Sequence, residues 1–461
     1  MAGGEAARPA EKMLDQKQKQ GETDAASAHA LSGDVLEEVL RRVPPRGLAA
    51  CRCVCASWRA AVDAGRLLRP GRLPLSVAGV LIHFDVHNYT EMFRSPPVSS
   101  SLEVSGRLDF LPSAADAWTP VSDHCNGLLL LDDHVVNPAT RRWDPLPRPP
   151  RKEPFEPWHP RYLAYDPTMS PHYEVVRIRM SCSEDDSRHL EEWPPTPFVM
   201  QVFSSRTGRW EERPFSRQGE AAGTFTDMDL VGAGGGHAAL CRGKLYVHCE
   251  NNFFLRISLS SDEYQVIKPP MGVDKSSSAS SLYLGKSKKG VYLASLNHCD
   301  LLRVWILDES SLGTTEWVLK HQNNIGNVLP RRGAYHYHQH DPWILEDINY
   351  NEAPEDEKYH WKIRSECSSY NNPTVNRSED RTTKCFVKNL RILGFHPFEE
   401  IVFLSGSSRS GLAYCLNGSQ LCYLGSIYPT CFGEKIAAGS GSIETSFPYT
   451  PCWIKEIPAN K

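Results

Sequence analysis

From position 31 the apolar residues recur at helix spacing, at Val35, Leu36, Val39, Leu40 and Val43, and predict an amphipathic first helix. Asp34, with Glu37 three positions on, has the pattern of an N-cap and capping box. Pro44 and Pro45 end that helix, because proline lacks an N–H donor and disfavours the α region before it. Pro45 is also suited to the first position of a second helix carrying Leu48, Cys51, Val54, Cys55 and Trp58 on roughly one face. The expectation is a compact helical domain over residues 30–72.

Beyond about residue 75 the helical pattern gives way to short strand-like runs separated by Pro, Gly, Asn, Asp and Ser. Runs at 128–131, 173–178, 198–203, 244–248, 253–259, 302–307 and 401–404 are examples. One unit recurs: a strand, a polar turn, then an aromatic six residues after a polar turn residue. It appears as NPATRRW ending at Trp143, SSRTGRW at Trp210, SLSSDEY at Tyr264 and NGSQLCY at Tyr423, with looser copies ending at Tyr173 and Trp317. Radial repetition of small antiparallel sheets accounts for such a pattern, since each sheet buries both faces on its neighbours and leaves short edges. The predicted fold class is α+β multidomain: a three-helix N-terminal domain followed, over 73–461, by a mainly β, propeller-like domain of about six blades. The aromatics are expected to pack between blades, and a β-sandwich with fortuitous repeats is the alternative.

Two segments stand apart. Residues 1–29, rich in Ala, Gly, Gln, Lys and Glu, are expected to form a disordered tail, as they bury too little surface to offset ordering entropy. Residues 341–383 hold ten acidic and five basic residues and read as a polar insertion, a solvated loop. Trp343 and Trp361 would favour a role for it at the edge of a partner site. A formal charge of −4 over 461 residues is too close to neutral for a general polyanion binder, so nucleic acid is not an expected partner. No apolar run approaches the roughly 20 residues needed to cross a bilayer, and no secretory signal pattern opens the chain. Cytoplasm or nucleus is therefore expected, with the 14 cysteines as buried thiols rather than disulfides and the sequons at Asn88, Asn376 and Asn417 unmodified.

The stretch LSGDVLEEVLRRVPPRGLAACRCVCASWRAAV, residues 31–62, resembles the F-box. The acidic-capped first helix, the VLRRVPP break, the Leu48-centred helix and the CRCVCASWR run typical of plant members agree in order and spacing. The resemblance implies that Leu31, Val35, Leu36, Val39, Leu40, Val43, Pro44 and Leu48 contact a Skp-type adaptor, with Cys51 and Trp58 as internal packing. Ser32 departs from the family pattern, which usually has proline after the leucine. A unit this small also struggles to bury a core alone, which favours partner burial over a self-contained helical core. Further along, CNGLLLLDDHVVNPATRRWDPLP, YLAYDPTMSPHYEVVRI and VFSSRTGRWEERPF resemble the kelch-like F-box-associated region of plant F-box proteins, although the kelch double glycine is mostly missing. Together the resemblances imply a substrate-recognition subunit of an SCF-type E3 ubiquitin ligase, linked through the adaptor to a cullin scaffold, with a protein substrate on the β domain.

No constellation in the sequence argues for intrinsic catalysis, a cofactor or a metal. Cys51, Cys53 and Cys55 alternate, but alternate residues on a helix point about 200° apart. His336, His338 and His340 would share one face of a strand and could hold a metal, although a solvated strand face or loop is the commoner meaning. The glycines at 232, 234, 235 and 236 lack the lysine of a phosphate-binding loop and read as a turn. Two alternatives to the ligase reading remain. One is a propeller-type ligand receptor or enzyme with a helical docking element, marked by polar groups converging on a central channel; the other is a non-ligase F-box protein.

Overall fold

The computed structural model describes residues 33–43, 48, 51, 54–65, 67, 77–85, 87–96, 104–112, 120–150, 159–178, 192–224, 237–249, 253–271, 273, 281–297, 299–310, 315–328, 342–351, 390–406, 410–427, 429–430 and 442–453. The chain divides into two compact units, residues 1–74 and 75–461. The expected tail at 1–29, the histidines at 336, 338 and 340, the glycines at 232–236, Cys53, Trp361 and Asn376 lie outside the described residues.

In the first unit helix α1 (Gly33–Leu40) packs on helix α2 (Ala56–Ala64). Leu36, Leu40, Leu48, Val62 and Leu67 form its core, with Val43, Cys51, Trp58 and Ala61 packed around them. The helix expected to run from Pro45 to Trp58 is broken. Leu48 and Cys51 are helical, but Val54 lies in a turn and Cys55 outside any helix. The Cys55 carbonyl accepts the Arg59 amide at 3.1 Å, so Cys55 caps a new helix. Asp34 likewise stands inside the first turn of α1 rather than at its cap.

The second unit is built of antiparallel sheets taken in chain order. β1 (Gly79–Phe84) pairs with β2 (Glu91–Arg94). β3 (Asp123–Cys125), β4 (Leu128–Leu130), β5 (His134–Asn137) and β6 (Arg142–Pro145) form a four-stranded sheet. β7 (Arg161–Ala164) and β8 (Glu174–Arg177) come next, followed by the two-residue β9 (Glu192–Trp193). β10 (Phe198–Ser204) and β11 (Arg209–Gln218) complete the sheet of β7 and β8, and β12 (Gly223–Thr224) pairs with β9. β13 (Ala238–Cys241), β14 (Lys244–His248), β15 (Phe254–Ser258) and β16 (Glu263–Ile267) make another set of four. A parallel pairing of β11 with β16 joins these last two sets into one eight-stranded sheet.

β17 (Ser281–Ser287), β18 (Gly290–Leu296), β19 (Leu301–Asp308) and β20 (Glu316–Asn324) follow. After β21 (Ile344–Leu345) and the short helix α3 (Ile348–Asn351) come β22 (Arg391–Phe395), β23 (Ile401–Ser405), β24 (Ser410–Cys415) and β25 (Gln420–Ser426). The last strand, β26 (Ile443–Tyr449), returns to pair with β1 and completes a four-stranded sheet in the order β21-β2-β1-β26. Each of the seven runs read from the sequence contains a strand, although the ends of the runs at 128–131, 173–178 and 253–259 lie outside it. Successive sheets meet through their first strands, β3 with β7, β13 with β17, β17 with β22, and through β26 with β22 and β3. The result is a closed, propeller-like succession whose final sheet is assembled from both ends of the unit.

The aromatic repeat lies where it was expected, with two corrections. Trp143, Trp210, Tyr264 and Trp317 sit on the fourth strand of their sheets, and most reach the preceding one. The Trp210 indole donates to the Pro147 carbonyl at 2.7 Å, Tyr264 rings Phe198 with centroids 5.8 Å apart, and Trp317 meets Phe254 edge-on at 5.2 Å. In the three tightest copies the residue two before the aromatic, Arg141, Gly208 or Asp262, has positive φ, as a type I turn followed by a left-handed residue requires. By that geometry the equivalent of the aromatic in the last copy is Leu421, two after Ser419, rather than Tyr423. Tyr173 is not a member at all: it precedes β8 inside the sheet of Trp210, and its hydroxyl donates to Asp144 of β6.

The described part of the expected insertion at 341–383 is not a solvated loop. Residues 342–351 belong to the fold: β21 pairs with β2, Ile348 is buried, and Trp343 lies between Phe93 and Phe403 with ring centroids 5.3 and 5.9 Å away. The carboxylates that made this stretch look solvated are acceptors. Glu346 takes the Ser105 hydroxyl and the Gly106 amide, and Asp347 takes the Thr430 amide and hydroxyl.

Candidate adaptor-docking site

Helix α1 carries two apolar ridges one residue apart. Leu36 and Leu40, at i and i+4, point into the core at 6% and 1% exposure, whereas Val35 and Val39 point out at 48% and 47%. An outward valine pair has no intramolecular reason to be apolar. Acid–base pairs at i and i+4 flank it: Glu37 with Arg41 at 2.6 Å, and Glu38 with Arg42 at 3.1 Å. The hydrogen bond that Arg41 donates to Glu37 holds its guanidinium above its ordinary pKa. Gly65, just after α2, passes close to α1: a Cβ there would stand 2.9 Å from both the Ala61 carbonyl and the Glu37 Oε1.

Of the eight residues expected to contact an adaptor, Leu36, Leu40 and Leu48 are in the core of the unit, Val43 is half-buried, and Val35 and Val39 are exposed. Leu31 and Pro44 lie outside the described residues. Val54, expected on one helix face with Leu48, Cys51, Cys55 and Trp58, is exposed in a turn and does not share the face of the buried Leu48. The doubled spacing 35/36 and 39/40 was the available signal that one helix has two apolar edges. Cys55, beside this turn, has a thiol lowered from its ordinary pKa by a hydrogen bond with Ser57 and by the Trp58 amide; burial raises that of Cys51.

In the β domain the aromatics are committed to packing: no described Trp or Tyr is exposed. Inner strands bring an imidazole–aromatic cluster together. The His237 ring stacks on Tyr283 at 3.9 Å and meets Phe447 edge-on, while His124 lies 4.9 Å from Phe447. Burial lowers the pKa of His124 to about 4 and that of His237 to about 3, the latter helped by His248 and His124, so both rings are neutral near pH 7. Asp123, on the same strand as His124, accepts the Leu163 amide at 2.7 Å and is pushed up to about 7 by burial. This arrangement stacks and packs; among the described residues no group of three or more His, Cys, Asp or Glu could hold a metal ion. No helix of the described residues is long and apolar enough to cross a membrane. No disulfide joins the described cysteines, but Cys55, Cys299 and Cys422 are exposed rather than buried as expected, since they lie beside one turn, in another and on an outermost strand.

Among known proteins, residues 30–69 match the F-box domain model. No curated protein matches the chain. Similar solved structures include "YCF48 bound to D1 peptide", 8% identical over 78% of this chain and 84% of that one with a TM-score of 0.28. Another is "Structure of Dos1 propeller", 9% identical over 77% and 71% with a TM-score of 0.29. The chain thus carries an F-box domain at residues 30–69 followed by a mainly β, propeller-like domain.

Proposed function

We propose that this chain is a substrate-recognition subunit of an SCF-type E3 ubiquitin ligase. The F-box binds a Skp-type adaptor and through it a cullin scaffold. The β domain, a six-bladed propeller of the kelch-like, F-box-associated type found in plant members, holds the protein to be ubiquitinated. One observation carries the reading: the outward ridge of Val35 and Val39 on a helix whose other apolar edge already fills the core. Such a ridge fits helix-in-groove association. Leu31, Val43 and Pro44 extend that contact in the proposal, and Leu36, Leu40 and Leu48 support it from inside. Tethering then makes transfer to a substrate lysine effectively intramolecular, while the bond-making chemistry belongs to partner enzymes in the cytoplasm or nucleus.

The test is co-purification of the full chain with a Skp-type adaptor. Val35→Asp with Val39→Asp abolishes the complex and leaves circular dichroism and melting unchanged, whereas Leu36→Asp with Leu40→Asp unfolds the unit. Adaptor binding that survives the outward pair of substitutions overturns the reading. A cullin pull-down with substrate half-life separates a ligase from a non-ligase F-box protein. Proximity labelling with the proteasome blocked, comparing the full chain with one starting at residue 75, identifies clients of the β domain.

A further inference from the structure

The second unit carries a cationic patch that its fold does not require. Two hairpins, each joining the first two strands of a sheet, supply it: β13–β14 turns at Arg242 and Gly243, and β17–β18 at Lys288 and Lys289. β13 packs on β17, and the charges of Arg242 and Lys286 both act on the buried Cys241 thiol, which places the two turns side by side. The Lys286 charge also reaches Cys125, at the end of β3. Arg242, Lys286, Lys288 and Lys289 are exposed and Lys244 is half-buried. Among the described residues only Lys289 of these five has an ion-pair partner, Glu400 at 3.4 Å, and Glu400 already holds Lys320 at 2.9 Å. Glu309, whose charge also acts on Cys241, is engaged by Arg256 at 3.1 Å and by the Tyr246 hydroxyl at 2.8 Å.

The backbone at Arg242 adds a second observation. Two-residue hairpin turns with positive φ at both positions favour Asn-Gly, and the β3–β4 turn has that pair, Asn126 at 45° and Gly127 at 89°. The β13–β14 turn has the same form, with φ of 50° and 72°, but an arginine stands in the place of the asparagine. A long side chain in the left-handed region costs stability, and so does the gathering of like charges. The Ser287 hydroxyl donates toward the His396 and Glu399 carbonyls, both at 2.8 Å, and so fixes the lysine-bearing turn against the sheet of β22.

We propose, resting on the ligase role above, that these two hairpins bind an acidic segment of the protein client, rich in Asp and Glu. Charge complementarity names the occupant. The cations are spread over two turns and four of them are lysines, point charges that suit an extended row of carboxylates better than one phosphate gripped by a guanidinium fork. Nucleic acid fits less well: no described Trp or Tyr is exposed to stack on bases, and the whole chain carries a charge of −4. Such a patch also draws an acidic segment in from a distance and speeds encounter with the client.

Fluorescence anisotropy of the full chain with a labelled peptide of alternating Glu and Gly tests this. The peptide is expected to bind, more weakly as salt rises, and its Gln counterpart is expected not to. Lys286→Glu with Lys288→Glu weakens binding about tenfold or more, whereas Arg148→Glu with Lys268→Glu, the same change of charge at exposed sites outside both hairpins, leaves it unchanged. Arg242→Asn separates binding from folding: it restores the residue this turn favours, so the melting temperature rises while the peptide binds more weakly. A Glu peptide that does not bind, a Gln peptide that binds equally, binding indifferent to the two lysine substitutions, or displacement by oligouridylate more readily than by unlabelled peptide overturns the proposal. Adaptor co-purification of each variant, run alongside, tells a failure of this surface from a failure of the ligase reading, because the first leaves the adaptor complex intact.

Discussion

Single positions in the β domain set its response to pH, and the signs of their contributions differ. The pKa of His237 falls from the ordinary 6.5 to about 3 on folding, because the half-buried ring loses solvent where it stacks on Tyr283. Between those values the native state binds fewer protons, so stability falls as pH drops through that window. His237→Phe keeps the stacking and flattens this acid limb by up to one linked proton, which denaturant titrations from pH 4 to 7 measure. Asp123 acts the other way: its folded pKa of about 7 exceeds the ordinary 3.8, so the native state binds more protons and stability falls as pH rises toward 7. Asp123→Asn mimics the protonated acid. Its melting point is expected to gain on the parent protein between pH 5 and 8, at about 1.4 kcal/mol per pKa unit relieved. Gly127 is a steric case, with φ of +89° in the turn after β3 and a virtual Cβ 2.5 Å from the Cys452 backbone nitrogen. Gly127→Ala combines left-handed strain with a clash and is expected to cost about 2 kcal/mol or more in urea unfolding.

At the level of elements, the recurring turn-plus-aromatic unit ties neighbouring sheets together, and each tie is a separate side chain. Trp210→Ala loses the contact with Phe203 and the hydrogen bond to Pro147, and is expected to destabilise the domain by about 2 to 4 kcal/mol in urea unfolding. The spacing of this unit is legible in the sequence because a hairpin turn and the residue after it are local. What spacing conceals is which hairpin of a sheet carries the aromatic. Tyr173 and Trp210 follow different turns of one sheet, so counting each as a unit splits a single sheet in two. The α1 ridges show the same limit. Period 3.6 identifies 35, 36, 39 and 40 as apolar, but only the position of α2 and its Val62 decides that 36 and 40 face inward.

For the whole β domain, closure depends on the pairing of β26 with β1, two strands separated by more than 350 residues. Asn137 donates to the Cys452 carbonyl at 3.0 Å, and the Tyr449 hydroxyl donates to Gly127 at 3.2 Å, which fastens the returning segment to the neighbouring sheet. Ending the chain after residue 441 leaves Val80 and Ile82 without that cover. Loss of the cooperative melting transition and rapid proteolysis of the domain are expected, checked by calorimetry and limited proteolysis of the shortened chain. The sequence by itself determined the helix-then-strand division, the strands and their turns, and the F-box segment, because all of these rest on residues within a few positions of one another. The tertiary structure decided the closing sheet, the absorption of residues 342–351 into it, the face on which each α1 valine or leucine lies, and the meeting of cations from the β13–β14 and β17–β18 turns. Those features arise from contacts between residues far apart in the chain, and burial by a distant segment leaves no periodic mark on the residues it covers.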